Sequence, residues 1–376
     1  MVNALGACGH VDVVILDAPG HSIAGMRPSA GVAVHHLDRP RSPTRATVAR
    51  WLTTGTAPSA LLHYDTHKLR ADFELLANGS QYDVFWSSTL VPLLLFGWPR
   101  ADRVIVDLYD LEDEKFRQAL PTVGEALRAG SPRAVLHRAL AQRDASVWAS
   151  QQARVATGAD AVLTCSAADR ARLGVPQTVV VPNGAHDPAS RADHSSVPSS
   201  EPTMLLHGSL GYSPNTEAAR MLVREVAPRV RATIPGLRVR LVGEAPAALQ
   251  ELHDPPAATV TGYVPDIGTE LARADLVTVP LRSGSGTRVK IIEAFAHGVP
   301  VVATSVAADG LDVRDAEHLL IRDEPAAFAA ACIDLLSMAQ LRKQCIANAR
   351  ALYCARYRWS SIEQQVRGLV AGTSGS

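Results

Sequence analysis

Short apolar runs alternate along this chain with longer segments in which apolar residues recur at helical spacing. Continuous apolar runs are typical of strands buried on both faces, and a period of about 3.6 residues indicates an amphipathic helix. The pattern predicts strands at 11–16, 84–87, 103–108, 161–165 and 178–181. Strands that alternate with helices indicate a parallel sheet covered on both faces, so we expect an α/β fold.

A segment rich in Ser, Pro and Asp, residues 186–202, interrupts this pattern and has the composition of a linker. A second alternating series follows it, and the length of 376 residues fits two domains at roughly 150 residues per domain. In this series we predict strands at 204–210, 237–242, 258–261, 276–281, 299–304 and 319–321.

The two series predict two doubly wound domains and a closing helix. We assign residues 1–190 to an N-terminal domain and residues 191–202 to a linker. Residues 203–355 form the predicted C-terminal domain, and residues 356–376 form the closing segment. In the closing segment, Trp359, Ile362, Val366 and Leu369 form an apolar stripe at helical spacing, which indicates a helix with one buried face.

The charge balance excludes a dedicated nucleic-acid-binding protein. Lys and Arg total 37, Asp and Glu also total 37, and neither half of the chain has the excess of positive charge that such proteins need. One local basic stretch contains Arg27, Arg39, Arg41, Arg45 and Arg50. It is either a solvated loop and helix face or a contact for anionic lipid or an anionic acceptor, which leaves peripheral membrane contact open.

The cysteines indicate a cytoplasmic protein without a disulfide frame or a zinc site. There are five, an odd number, and no two lie at Cys-x-x-Cys spacing. The longest strongly apolar run, residues 90–98, is far shorter than the ~20 residues of a membrane span. We therefore expect no metal, no spanning helix and a cytoplasmic location, with membrane association through the basic stretch as the open alternative.

A turn rich in Gly and Ser follows the predicted strand that ends at Leu281. Gly284 and Gly286 allow a tight turn, and a predicted helix begins directly after it. The free N–H groups and the dipole at a helix N-terminus bind anions, and Arg288 and Lys290 add full positive charge. This arrangement predicts a diphosphate site.

Glu293 lies one helical turn beyond this site. It follows Lys290 by three residues, or about 4.5 Å along a helix with a rise of ~1.5 Å per residue. That offset is close to the one between the phosphates and the ribose hydroxyls of a nucleotide, and a carboxylate suits paired hydroxyl donors. The alternative is an ordinary surface Lys–Glu pair. The turn is not a Walker loop, since no Gly-Lys-Ser or Gly-Lys-Thr follows the glycines. It is not a complete dinucleotide fingerprint either, because position 289 is Val.

The stretch from Leu206 to Leu311 resembles the nucleotide-binding half of the group 1 glycosyltransferases, retaining enzymes of the GT-B fold. The matching motifs occur in order: HGSLGYSPN at 207–215, LRVRLVGEAP at 237–246, VTGYVPDI at 260–267, ADLVTVPLRSGSGTRVKIIEAFAHGVPVVAT at 274–304 and ADGLD at 308–312. Residues 106–113 and the VPNG at 181–184 resemble the N-terminal half. The resemblance implies two Rossmann-like domains that face each other across a cleft.

The resemblance also implies roles for particular residues. Glu293 would hold the donor ribose, Gly286 and Thr287 would present backbone groups to the diphosphate, and Arg288 or Lys290 would supply charge. The base pocket would be lined by Gly262, Tyr263 and Val264, and the phosphates would lie near Gly208, Ser209 and Asn215. Arg288, Lys290 and Asp110 are the candidate catalytic residues.

Three features depart from the family pattern. Many relatives carry a glutamate that contacts the donor sugar where this chain has Ser285, and many carry His at the position of Tyr109. The family opens with a strand and a glycine-rich turn, whereas residues 1–17 look like the end of a helix followed by the second strand. We therefore expect the first strand of the N-terminal domain to be missing.

The expected reaction transfers a sugar from a nucleoside-diphosphate sugar to an acceptor hydroxyl, with retention and without a cofactor. No Asp-x-Asp occurs, which disfavours a metal-held diphosphate. The acceptor is unknown: a glycan, a lipid-linked molecule or a small molecule. One alternative is a different enzyme on the same fold, and another is a non-catalytic partner subunit with an incomplete N-terminal site. By the resemblance the closing helix crosses back to the N-terminal domain, so we expect Trp359 to contact residues numbered below 190 or the domain junction.

Overall fold

The structure is a computed structural model that describes residues 2–16, 31–37, 51, 55, 57–77, 79–109, 111–113, 132–189, 192–196, 201–284 and 288–372. The chain forms two compact units, one of Met1–Val181 with Glu363–Ser376 and one of Pro182–Ile362. The predicted limits of the linker, 191–202, and of the closing segment, 356–376, remain predictions.

The first unit contains two parallel sheets among its described residues. Strands β1 (Val11–Leu16) and β2 (Val32–Leu37) pair with each other. Strands β3 (Tyr82–Ser87), β4 (Ala101–Leu108), β5 (Ala161–Thr164) and β6 (Thr178–Val180) form a second sheet in that order. The sequence pattern missed β2, because His35 and His36 interrupt its apolar run.

Helices accompany these strands as the alternating pattern predicted. They are α1 (Val2–Gly6), α2 (Thr66–Ala77), α3 (Leu90–Phe96), α4 (Pro132–Gly158) and α5 (Ala167–Leu173), with a short 3-10 turn at Ser59–His63. The helix-then-strand order predicted for the start of the chain is present as α1 and β1. The core of this unit is built on β4, where Ile105 and Val106 are fully buried, and on Trp148 of α4.

The second unit has one six-stranded parallel sheet. Its strands are β7 (Thr203–His207), β8 (Arg238–Val242), β9 (Ala258–Gly262), β10 (Leu276–Val279), β11 (Val301–Ala303) and β12 (Leu320–Ile321). The helices are α6 (Ser213–Met221), α7 (Ala227–Arg231), α8 (Ile267–Arg273), α9 (Val289–His297), α10 (Ser305–Ala308), α11 (Pro325–Ser337) and α12 (Ala339–Leu352). A 3-10 turn at Ala247–Leu252 and single π-helical turns at Leu222–Val226 and Tyr353–Tyr357 complete it.

The strand order of this sheet decides where a ligand can bind. The order is β12-β11-β10-β7-β8-β9, so the chain winds from β7 to β9 in one direction and then returns to continue from β10 in the other. In open parallel sheets the crevice for ligands lies beyond the carboxyl ends of the strands at this reversal. The reversal falls between β7 and β10, so a ligand is expected beside the residues that follow His207 and Val279.

The described part of the predicted linker packs against the second unit. His194 is 8% exposed, and its carbonyl oxygen accepts a hydrogen bond of 2.5 Å from Nε of Arg342, which is itself 1% exposed. A buried guanidinium needs such partners, because an unpaired buried charge is costly. Residues 192–196 are therefore anchored, although their composition is that of a flexible linker.

The closing helix α13 (Trp359–Val370) has residues in both units. The Trp359 N–H donates to the Ala185 carbonyl at 3.0 Å, and its ring lies 5.9 Å from that of His186, so the contact predicted for Trp359 is present. Nearer the end of the helix, Nη1 of Arg103 donates to the Leu369 carbonyl at 2.8 Å. The predicted stripe is buried at Ile362, Val366 and Leu369, as a packing role requires.

Candidate functional site

Two glycines shape the turn at the carboxyl end of β7. Gly208 has φ +131° and Gly243, at the end of the adjacent β8, has φ +135°. A Cβ on Gly243 would lie 1.8 Å from the carbonyl oxygen of Gly208, so the two backbones approach as closely as glycine allows. This close approach fixes the position of the turn that begins the motif at 207–215.

Replacing Gly243 by alanine should lower the free energy of unfolding by about 3 kcal/mol or more, since the methyl group overlaps backbone and the φ is unfavourable. Chemical denaturation of the purified variant measures this. Gly211→Ala is the matched control, because a Cβ at Gly211 meets nothing within 4 Å. A loss no larger for Gly243→Ala than for this control would contradict the packing.

Lys290, in the first turn of α9, reaches back to the β7 turn. Its Nζ donates to Oδ1 of Asn215 at 2.8 Å, and Nδ2 of Asn215 donates to the Ser209 carbonyl at 2.7 Å. A Cβ on Gly208 would stand 3.2 Å from the same ammonium. Burial, together with the nearby charge of Arg288, lowers the pKa of Lys290 to about 8. The ammonium thus lies where the motif at 207–215 meets α9.

Arg288 occupies the N-cap position of α9, and its Nη2 donates to the Gly284 carbonyl at 2.6 Å. By residue type Thr287 can cap this helix, whereas the structure has Arg288 at the N-cap and begins the helix at Val289. Ser285, Gly286 and Thr287 lie outside the described residues. The hydrogen bond holds the Arg288 guanidinium against the backbone of Gly284.

Glu293 lies on the same helix, one turn beyond Lys290. Its Oε2 is 2.9 Å from Nε2 of His207, the last residue of β7. Burial acts to raise the pKa of Glu293, but the hydrogen bond with His207, helped by the nearby Lys290, outweighs it and holds that pKa below its ordinary value. The carboxylate is therefore ionised at neutral pH and, with a side chain 30% exposed, open to a ligand.

His207 is the residue of this cluster that sequence reasoning missed. The one signal in the sequence is a histidine that ends an apolar strand directly before Gly208 and Ser209. Such a position is more often a satisfied core residue than a functional one. Only the placement of α9 against β7 shows that the imidazole and the Glu293 carboxylate meet.

The residues expected at the base pocket lie at the end of β9. Gly262 has φ +79° and ends the strand, Tyr263 is 78% exposed, and Val264 packs partly against the core. The Gly243 N–H donates to the Gly262 carbonyl at 2.8 Å, which connects this turn to the glycine turn of β8. An exposed tyrosine ring can stack on an aromatic base, and its role in this pocket stays a prediction.

The N-terminal candidates are less fully described. Asp110 and the arginines of the basic stretch, Arg27, Arg39, Arg41, Arg45 and Arg50, lie outside the described residues. Burial raises the pKa of Asp107, near the carboxyl end of β4, to about 6. In the described part of the chain, no three His, Cys, Asp or Glu side chains come together as a metal site. Within the same ranges, no helix is long and apolar enough to cross a membrane.

The cluster combines two chemistries on the first turns of α9. Arg288 and Lys290 supply positive charge beside the N-terminus of α9, and Glu293 supplies an ionised carboxylate further along the same helix. Cations bind phosphate oxygens, whereas a carboxylate accepts hydrogen bonds from hydroxyl groups. A ligand that carries both a diphosphate and a neighbouring diol fits this arrangement.

Comparison with known proteins agrees with this geometry. Residues 201–338 match the family model described as glycosyl transferases group 1. A phosphatidyl-myo-inositol mannosyltransferase of Mycobacterium leprae is 36% identical over 121 residues, which are 31% of this chain and 32% of that protein. The chain thus spans about a third of the length of this curated relative.

Solved structures resemble this chain in fold over nearly its whole length. A sucrose-phosphate synthase from Thermosynechococcus elongatus superposes with a TM-score of 0.71 at 20% identity, covering 99% of this chain and 91% of the other. Anabaena Alr3699/HepE in complex with UDP superposes with a TM-score of 0.58 at 17% identity, covering 91% and 86%. The GT-B architecture predicted from the sequence is confirmed.

Proposed function

We propose that this chain transfers a sugar from a nucleoside-diphosphate sugar to an acceptor hydroxyl, because residues 201–338 match the glycosyl transferases group 1 model and the fold is that of solved glycosyltransferases. The observation that carries the proposal is the pair of contacts that joins α9 to β7 and to α6, the helix that follows β7. Lys290 contacts Asn215 and Glu293 contacts His207, so a cation and a carboxylate are both held at the reversal of the sheet.

In the proposed donor complex the diphosphate lies against the N-terminus of α9, beside Arg288 and Lys290. The ribose hydroxyls donate to Glu293, and the base lies near Gly262, Tyr263 and Val264. Gly208, Ser209 and the turn of Ser285, Gly286 and Thr287 approach the phosphates with their backbone groups. This assignment follows the family resemblance and is supported by the contacts of the described members.

The proposed chemistry proceeds with retention and without a metal ion. As the bond to the donor sugar breaks, negative charge grows on the departing diphosphate. Fixed cations and oriented N–H groups stabilise such charge without reorganisation. We assign this stabilisation to Arg288, Lys290 and the helix N-terminus, in place of a metal ion. We assign Asp110 to the acceptor side of the reaction, a role that its position after β4 supports.

The named relatives narrow the candidate substrates. Phosphatidyl-myo-inositol mannosyltransferases act on a lipid acceptor, and Alr3699/HepE binds UDP. We therefore include a mannosyl donor with a phosphatidyl-myo-inositol acceptor, and a uridine-based donor, among the first candidates. A lipid acceptor would also account for the basic stretch at residues 27–50 through contact with anionic lipid.

A ligand screen followed by a turnover assay tests the proposed function. Binding to the native state raises the unfolding temperature, so UDP, GDP, TDP and ADP are compared by thermal shift. The sugar donors of the base that binds are then incubated with the protein, and release of the free diphosphate is measured. Stabilisation by one base and release of its diphosphate support the proposal. Absence of both would favour the non-catalytic subunit instead.

The pKa of Lys290 predicts how donor binding depends on pH. A diphosphate favours the charged ammonium, whose pKa without ligand is about 8. We expect the dissociation constant for UDP, or for the base that binds, to be flat below about pH 7 and to rise about tenfold per unit above pH 8. Titration calorimetry from about pH 7 to 9.5 measures it.

The matched control for this pH profile is Lys290→Arg, because arginine stays charged throughout the range. A flat profile in the wild type, or the same slope in the variant, would contradict the assignment. The unliganded protein behaves in the opposite way. Its unfolded chain binds more protons between the lowered pKa of about 8 and the ordinary 10.5, so its stability rises with pH across that interval.

A further inference from the structure

His207 is a buried titratable residue that the proposed nucleotide contacts do not use. It ends β7, where it pairs with Val242 of β8, and it is 4% exposed. A buried imidazole normally has hydrogen-bond partners for its ring nitrogens. The question is therefore what this histidine does at the reversal of the sheet.

Its two ring nitrogens have different surroundings. Nε2 lies 2.9 Å from Oε2 of Glu293, whereas Nδ1 is buried and has no hydrogen-bond partner among the described residues. A proton on Nδ1 would be a buried donor without an acceptor, so the favoured neutral tautomer carries its proton on Nε2. His207 therefore donates to Glu293. Within the parts of the chain that the structure describes, the Glu293 carboxylate accepts from no other side chain.

The backbone that carries His207 is rigid, whereas the side chain of Glu293 is not rigid on its own. The Gly208 N–H donates to the Val242 carbonyl at 3.0 Å, and Gly243 packs directly against the Gly208 carbonyl. Glu293 reaches from a helix face through a side chain with several rotatable bonds, which loses conformational freedom when it is fixed. A hydrogen bond from the sheet fixes one of its oxygens before any ligand arrives.

We propose that His207 is a positioning residue that presents the Glu293 carboxylate to the two ribose hydroxyls of the donor. The inference rests on the proposed function and adds a residue to it. One carboxylate oxygen is engaged by the imidazole, and the other oxygen with the remaining lone pairs accepts from the hydroxyls. The affinity for ribose then depends on a residue that does not touch the ligand.

A purely packing role makes a different prediction. Loss of packing at the end of β7 would lower stability and weaken every nucleotide alike. Loss of positioning weakens the ligand that has ribose hydroxyls and spares the ligand that lacks them. The comparison of a nucleoside diphosphate with its 2′,3′-dideoxy analogue separates the two roles.

The experiment uses the full chain and the base among UDP, GDP and ADP that the wild type binds best. His207→Gln places an amide N–H near the position of Nε2, and His207→Asn places one near Nδ1, too short to reach Glu293. Dissociation constants for the nucleotide and its dideoxy analogue are measured by calorimetry for the wild type and both variants. His207→Phe, of similar size, serves as the second non-donating variant if His207→Asn does not fold.

We expect His207→Asn to bind the ribonucleotide about fivefold to tenfold more weakly and the dideoxy analogue within about twofold of wild type. His207→Gln should restore most of the preference for ribose. An unchanged preference in His207→Asn, or equal losses for both ligands, would overturn the inference while the proposed function stands. If the wild type binds none of UDP, GDP, TDP and ADP, the proposed function fails and the inference fails with it. Binding of TDP alone, which has no 2′-hydroxyl, would overturn the inference while the proposed function stands.

Discussion

Replacing Lys290 by methionine should weaken binding of a nucleoside diphosphate between about tenfold and 100-fold, because a charge-assisted hydrogen bond contributes ~1.5–3 kcal/mol. Binding of the corresponding nucleoside, which has no phosphate, should change by less than about twofold. The reason is geometric: Nζ is held by Asn215 beside the Gly208 turn, where the diphosphate is proposed to lie. Calorimetry with UDP and uridine, or the matching pair for another base, measures both.

Lys343→Met is the control for that experiment, because Lys343 is an exposed lysine of the same unit on α12. It should leave both affinities unchanged. Arg288→Met should follow Lys290→Met in direction, since the Gly284 carbonyl holds its guanidinium beside the N-terminus of the same helix, α9. Equal losses for diphosphate and nucleoside would show that the two cations act through the stability of α9 and do not contact phosphate.

Replacing Glu293 by alanine should weaken ribonucleotide binding by about tenfold or more, because hydrogen bonds from ribose hydroxyls to a charged acceptor contribute ~1.5–3 kcal/mol. The pKa of this carboxyl is held below its ordinary value, so the acceptor is charged at every pH near neutral. The variant should also lose the preference for a ribonucleotide over its dideoxy analogue. Dissociation constants for the two ligands and the thermal midpoint of the variant check both expectations.

Glu324→Ala provides the matched control, because Glu324 is exposed and its side chain makes no cap hydrogen bond to α11. Nucleotide affinity should not change in this control. An unchanged affinity in Glu293→Ala would remove Glu293 from the donor site. Taken together with Lys290→Met, the two variants divide the site into a phosphate half and a ribose half. That division is what a donor bound along α9 requires.

The local part of this architecture could be predicted from the sequence. Periodicity located eleven of the twelve described strands, because continuous apolar runs record burial on both faces of a parallel sheet. It missed β2, where two histidines break the run. The anion site was also predictable, because a glycine-rich turn, a helix start and two cations are close in sequence. The residue that caps its helix was not, since turn residues and first-turn residues have similar compositions.

Contacts between distant segments could not be predicted in this way. Glu293 and His207 are 86 positions apart, and Lys290 and Asn215 are 75 apart. No local pattern relates such residues. They meet because β10 returns to pair with β7, which places α9 over the end of the first strand of the unit.

The sequence by itself therefore determined the fold class, the strands and the segment of the proposed donor site, because each depends on residues within one element or one turn. The tertiary structure alone decided which side chains orient that segment. The burial of His207 at the sheet reversal and the lowered pKa of Lys290 arise from packing between elements. So does the contact of His207 with Glu293, its one side-chain partner among the described residues. Hydrogen bonds and desolvation act between neighbours in space, and the order of the strands decides which residues are neighbours.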